Sequence, residues 1–410
     1  MDKTLVFYCL IFILVGEFVL ATVLNFLNAK RFKDPIPDDL KDVYNREEYE
    51  KSQDYKLTNY KFGILTSIFS LSLILGFLFF DGFAWVDRIA LNLSGNPIVQ
   101  ALVFFGIIML GSDLLSTPFS YYQTFVIEEK FGFNKTDTKT FVLDKFKQWA
   151  MIIVFGGTVL SLVIWFFEWA GQYFWLYTWG LIIVFTLFMN LFYSKLIVPL
   201  FNKQEPLQDG TLKMKIEQYA QQVGFELQNI FVINGSKRST KANAYFSGFG
   251  KEKRVTLYDT LINDLEEDEI VAVLAHEVGH YKRHHIVFNL ATSILLTGFM
   301  LFLLSLFINN PEISLAIGVD RPSFHAALIG FGILYSPVSE ITGLLMNHLS
   351  RKFEYEADDF AKSTYAASPL VTSLKKLSKN SLSNLTPHPA YVFMHYSHPP
   401  LIERVRNLKA

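Results

Sequence analysis

The 410-residue chain has one cysteine, Cys9. A single thiol makes neither an internal disulfide nor a cysteine-rich zinc site. Charge is scarce as well. Asp, Glu, Lys and Arg make up 18% of the residues, where a soluble domain carries about a quarter. The net charge of −1 leaves no electrostatic footprint for a nucleic acid, so none is expected as a partner. Internal repeats and low-complexity tracts are also lacking. What the chain has in excess is apolar surface: 51% of its residues are hydrophobic, and there are 40 Phe. Membrane lipid is the expected surrounding.

A spanning helix needs about 20 mostly apolar residues. Seven stretches meet or approach this: 5–26, 62–80, 98–119, 150–169, 174–200, 286–308 and 324–346. The first is too long for the apolar core of a signal peptide, and its basic cluster follows it, so it reads as an uncleaved span. Asp113 and Pro118 interrupt the third; Pro337 and Glu340 interrupt the seventh. Glu17, Asp113, Glu168 and Glu340 are expected to face the bundle interior, because lipid does not solvate a carboxylate.

Lys and Arg alternate between the connections. Eight fall in 27–61, one after span two, five between Lys130 and Lys147, and none after span four. The segment 201–285 is rich in them, one (Arg321) follows span six, and the tail is rich again. The bias places the N-terminus outside and the C-terminus in the cytoplasm. The expected fold is an all-α membrane protein of seven transmembrane helices with a cytoplasmic domain. Residues 1–200 hold spans one to five, and 286–346 hold spans six and seven. Residues 201–285 form a cytoplasmic segment with a small β-sheet, and 347–410 a cytoplasmic C-terminal segment. In 201–285, "QNIFVINGS", "ANAYFSGFG" and "KRVTLYDTL" read as strands. "DLEEDEIVAVLAHEVGHYKRHH" reads as a helix whose acidic start suits the helix dipole.

That helix carries His276, Glu277 and His280 in the order His-Glu-x-x-His. Residues four apart share a helix face, so both imidazoles can meet one ion with the glutamate beside it. Zinc takes such ligands, and Glu277 takes the proton from the attacking water. The pattern is short, and a third ligand is needed. "RKFEYEADDFAKS" offers Glu354, with Asp358 one turn further on the same face. Glu354 completes a His-His-Glu set, and Asp358 is placed to hold the far nitrogen of a ligand histidine. Glu356 points about 200° away from Glu354. Spans six and seven are joined by a short outside turn, which brings both segments together at the cytoplasmic membrane border.

With "IVPLFNKQEPL", "NAYFSGFG", "VTLYDTL" and "HYSHPPLIERV", these segments resemble, in family order, the integral-membrane type I CAAX prenyl proteases. The resemblance covers nearly the whole chain. It implies a membrane-embedded zinc metalloendopeptidase, with one zinc per chain on His276, His280 and Glu354 and with Glu277 as base. It implies helices enclosing a chamber, and removal of the last three residues of a prenylated CAAX protein. His398 is carried over as an oxyanion stabiliser and Arg404 as a nearby electrostatic partner. Asn243 and Ala244 match a substrate-pairing edge strand, and His285 a group behind the ligands. Compactness and the short turn between spans six and seven suggest a bacterial member, hence the inner membrane; a eukaryotic member would sit in the endoplasmic reticulum. Bacteria generally lack prenylation, so a bacterial chain would take another peptide or protein substrate.

Two other functions fit parts of the sequence. A quality-control peptidase degrading misfolded proteins has the same chemistry but four spans. A seven-span transporter or receptor fits the span count and leaves the ligand set unexplained.

Overall fold

Long apolar runs become long helices because lipid offers no partner to a backbone N–H or C=O. The computed structural model describes residues 2–227, 229–247 and 254–410. Helix α1 (Lys3–Lys30) starts at Asp2, whose carboxylate accepts the Thr4 N–H. Helix α2 (Arg46–Phe79) starts at a capping box of Asn45 and Glu48. A short amphipathic helix, α3 (Gly82–Leu93), follows, which the apolar-run pattern does not predict. Helix α4 (Pro97–Phe131) starts at the Asn96 cap, with Pro97 in its first turn. Helical run α5 (Thr138–Phe201) is 64 residues long.

Six helical runs among the described residues are long and apolar enough to cross a membrane. The expected fourth and fifth spans both lie in α5. A straight helix of that length would reach about 96 Å, three times the hydrocarbon thickness. It is interrupted by a tight turn, Gly171–Tyr173, and Gly171 adopts φ +54°, a conformation open to glycine. The two halves pack against each other. Phe12, Leu65, Ile153 and Val184 remain exposed on the spanning helices. Water would penalise that surface, and lipid accepts it.

Two of the four intramembrane carboxylates have hydrogen-bond partners. The Ser336 hydroxyl donates to Glu17. Asp113 receives Lys145 Nζ at 2.6 Å and Trp149 Nε1 at 2.9 Å. Glu340 lines a cavity with Glu17. Glu168 departs from expectation and is exposed. It sits two residues before the end of the half-helix Gly157–Ala170, where a long side chain can extend toward the interface.

The sheet has four strands: β1 (Gln204–Pro206), β2 (Asn229–Ile233), β3 (Ala244–Ser247) and β4 (Arg254–Tyr258). The three expected strands form, although Gln228 and residues 248–253 of those motifs lie outside the described residues. The order is β1-β2-β4-β3, with β2 and β4 parallel and the other pairs antiparallel. Strand β3 is therefore an edge. Between β1 and β2 lies α6 (Thr211–Gln222).

After the sheet come α7 (Asp259–Asp264) and α8 (Glu267–Lys282), the motif helix. The expected acidic start is a capping box of Glu266 and Glu269. Helix α8 buries Ile270, Val271, Leu274, Ala275 and Val278 in the largest apolar core. Helix α9 (His285–Phe307) returns into the apolar layer. Helix α10 (Phe324–Thr364) is 41 residues long and carries the seventh apolar stretch and the Glu354 segment without a break. Helices α11 (Ala367–Asn380), α12 (Pro389–His395) and α13 (Leu401–Lys409) complete the chain.

Candidate active site

Helices α8 and α10 cross at Gly279. A Cβ placed there would lie 3.0 Å from Ala357 Cα, 3.1 Å from Ala357 O and 3.2 Å from Phe360 Cβ. The missing side chain lets the two backbones touch and brings Glu354 within reach of both histidines. Helix propensity alone predicts that Gly279→Ala stabilises by about 1 kcal/mol. Packing predicts the opposite, because overfilling a tight contact costs about 1–3 kcal/mol. We expect Gly279→Ala to lower the melting temperature and weaken metal binding, with Gly279→Val lowering both further. A Gly279→Ala protein that melts above the wild type would remove the crossing argument.

At the crossing, His276 Nε2 and His280 Nε2 lie 3.2 Å apart. Glu354 Oε2 is 3.4 Å from His276 Nε2, and Oε1 is 3.3 Å from His280 Nε2. Donors bonded at about 2.0–2.1 Å to one tetrahedral ion stand roughly 3.3–3.4 Å apart. The three residues are the group among the described residues whose ligand atoms converge in this way. Glu354 Oε2 is buried and accepts no hydrogen bond from a described residue. A buried carboxylate facing both imidazoles, with one oxygen lacking a hydrogen bond from a described residue, is a donor set that suits a divalent cation.

Two further groups hold His276 and Glu354. Asp358 Oδ1 lies 2.9 Å from His276 Nδ1, as the sequence spacing predicts. Arg404 donates to both oxygens of Asp358, from Nε at 2.8 Å and from Nη2 at 2.5 Å. Its Nη1 lies 3.3 Å from Glu354 Oε2. Arg404 thus braces two carboxylates from α13 and is itself buried. Burial pushes the Arg404 guanidinium down, but Asp358 and Glu354 more than offset it and raise it. Burial also pushes the His276 imidazole down; hydrogen bonds to Asp358 and Glu354 outweigh this and hold it up at about 9.

His280 is backed differently. Its Nδ1 faces His285 Nδ1 at 3.0 Å, and His285 Nε2 meets Glu356 Oε2 at 3.0 Å. His285 also stacks on Phe353, with ring centroids 4.1 Å apart. Glu356 does not join the triad, in line with its place on the helix. Its link to His285 is not legible from spacing, because a helix start separates His280 from His285.

A cavity of about 370 Å³ opens over the triad, lined by Asn243, Ala244, Glu277, His398 and Arg404 among others. His398 is largely exposed, and its Nε2 lies 3.2 Å from Glu354 Oε1. Asn243 and Ala244 bring the start of edge strand β3 to the rim. Asn243 Oδ1 accepts the Ala244 N–H at 2.8 Å, and the Asn243 carbonyl accepts the Tyr258 N–H at 3.1 Å. Leu370, Leu374 and Leu377, spaced along one face of α11, close another side. The apolar periodicity of "PLVTSLKKLSKN" carries that signal, although nothing in it points to a site. Every site residue expected from the sequence therefore meets the triad, backs it or lines its cavity.

A family model described as "CAAX prenyl protease N-terminal, five membrane helices" matches residues 25–203, and one for peptidase family M48 matches residues 206–410. The chain is similar to CAAX prenyl protease 1 of Saccharomyces cerevisiae, 34% identical, covering 96% of this chain and 93% of that one. It is 34% identical to a CAAX prenyl protease 1 homolog of Homo sapiens, over 91% and 88% of the two chains. A homolog of Oryza sativa is 35% identical, over 96% and 94%. The crystal structure of S. mikatae Ste24p superposes with a TM-score of 0.94 at 33% identity, covering 100% of both chains.

Proposed function

The chain belongs to peptidase family M48 and is a multi-pass membrane metalloprotease of the CAAX protease type; from that premise we propose that it removes the C-terminal tripeptide of prenylated CAAX proteins, using one zinc ion. The carrying observation is the convergence of His276, His280 and Glu354 at tetrahedral spacing, with Glu277 facing the same cavity.

His276, His280 and Glu354 hold the ion. When bound, it supplies Lewis acidity that polarises a carbonyl and makes water more acidic. Glu277 accepts the proton of the attacking water and delivers it to the leaving amine. His398, exposed at the cavity rim, donates to the oxyanion as it develops. Asp358 fixes the His276 tautomer, Arg404 orients Asp358, and His285 does for His280 what Asp358 does for His276. The substrate adds as a strand along the free edge of β3 at Asn243 and Ala244.

The same reading takes the two halves of α5 as separate spans, giving seven, which the turn at Gly171 and the packing of the halves support. With seven spans, the Lys and Arg alternation puts the N-terminus outside and the catalytic segments in the cytoplasm. The spans surround a chamber over the metal site. Residues 1–200 and 286–346 are the membrane part, and 201–285 and 347–410 the catalytic part.

Two matched peptides test the substrate, one with a farnesylated Cys-a-a-X end and one without farnesyl, using purified zinc-analysed protein with a chelator control. We expect one zinc per chain and strong preference for the farnesylated peptide. Equal cleavage of both would replace the CAAX substrate with a broader one, and many cuts in an unfolded protein would favour quality control.

A further inference from the structure

A cavity of about 910 Å³ lies among α1, α2, α10 and the segment around α12. Its wall carries Asn25, Asn59, Ser67 and Tyr396, and one cation, Lys56 of α2. Lys56 Nζ is buried and has no hydrogen-bond partner among the described residues. It lies 5.5 Å from the centre of the Tyr49 ring and 5.9 Å from that of Phe32. A buried ammonium without an acceptor is costly, and an anion delivered through the cavity would relieve it.

Two carboxylates in this region are committed elsewhere. Glu128 receives Tyr55 Oη at 2.6 Å and Lys241 Nζ at 2.9 Å. Glu17 receives Ser336, and it stands some 15 residues back along the chain from Phe32, roughly 20 Å away along α1. Glu340 of α10 and Glu17 of α1 are the carboxylates on the cavity wall, and Lys56 is its cation.

The helix residue before Lys56 touches the arm that leads into β3. Lys241 Nζ lies 3.1 Å from Tyr55 Oη, and Tyr55 is the chain neighbour of Lys56. Lys241 precedes Ala244 on the arm leading into β3. A peptide lying antiparallel on the free edge of β3 directs its C-terminus past Ala244 toward Lys241. Three extended residues cover about 10 Å, and Lys241 stands three residues before Ala244. On the opposite side, Tyr396 lines the large cavity while His398, two residues on, reaches Glu354 at 3.2 Å.

We propose that Lys56 receives the free C-terminal carboxylate of the substrate, three residues beyond the cut. This rests on the CAAX reading above and adds the specificity-determining residue for the end of the chain. The test uses the full-length, metal-loaded protein and two farnesylated peptides that differ only in a C-terminal carboxylate or carboxamide. Wild-type protein is expected to favour the carboxylate at least about tenfold in kcat/KM, mainly through KM, the size of a charge-assisted hydrogen bond. Lys56→Met should bring the ratio to about one, and Lys56→Arg should keep part of it. Lys56→Gln serves if the Met variant does not fold. A wild-type ratio of one, or a wild-type ratio kept by Lys56→Met or Lys56→Gln, overturns the proposal. Equal cleavage of both peptides leaves the protease reading standing; cleavage of neither removes both.

Discussion

Glu277→Gln keeps one metal ion per chain and cuts peptide about 10²–10⁴-fold more slowly, the range of general acid–base catalysis. The two side chains have nearly the same shape, so the fold of α8 is undisturbed. Glu277 stands outside the converging triad, so metal binding does not depend on it. It lines the cavity over that triad, and an amide there cannot accept the proton of the attacking water. Metal analysis of the purified variant, together with single-turnover cleavage, separates the two effects. Turnover near that of the wild type would remove Glu277 as the base. Loss of metal would make it a ligand or a structural support instead.

Glu354→Gln has the second large effect, loss of the metal itself. The buried carboxylate is the only negative ligand of the triad, and its Oε2 is already short of hydrogen-bond partners. The amide removes that charge while Arg404 stays within 3.3 Å of the site. A cation that binds only the folded state stabilises it by about 4 kcal/mol at a thousandfold excess over Kd. Wild-type protein is therefore expected to melt at a clearly lower temperature after chelation and to recover when zinc is returned. Glu354→Gln should melt at one temperature with or without zinc. A variant that keeps stoichiometric zinc and its thermal shift would force the third ligand to be sought elsewhere, with His398, 3.2 Å from Glu354 Oε1, one candidate.

Much of this was legible in the primary structure, because each signal was local or strictly periodic. The six long apolar helices follow from a solvent that cannot bond the backbone. His276 and His280 share a face because 3.6 residues make a turn, and the same period sets Glu354 beside Asp358 and turns Glu356 away. The acidic start of α8 announced its capping box. The strands over "NIFVI", "AYFS" and "RVTLY" stood out between turn residues.

Other features had no local signal. Helix α3 was missed because its apolar stripe is too short to resemble a span. Strand β1 is three residues long and ends in Pro206, so no alternation can reveal it. Glu168 reads as an intramembrane charge until its place near the end of a half-helix is known. Gly279 weakens a helix and leaves room for a close backbone approach, but which backbone arrives, Ala357 of α10, only the crossing shows.

The sequence by itself determined the medium, the helices and the candidate metal-binding and proton-transferring groups, because periodicity and residue chemistry act within a few turns of chain. Tertiary structure alone decided the distances between groups far apart in sequence. It set the 3.3–3.4 Å spacing of Glu354 to the two histidines, the grip of Arg404 on Asp358, and the link from His280 through His285 to Glu356. It also left Lys56 without an acceptor among the described residues, beside a large cavity. Each of these depends on how helices cross and which side chains are withdrawn from water, and neither is encoded in any one stretch of residues.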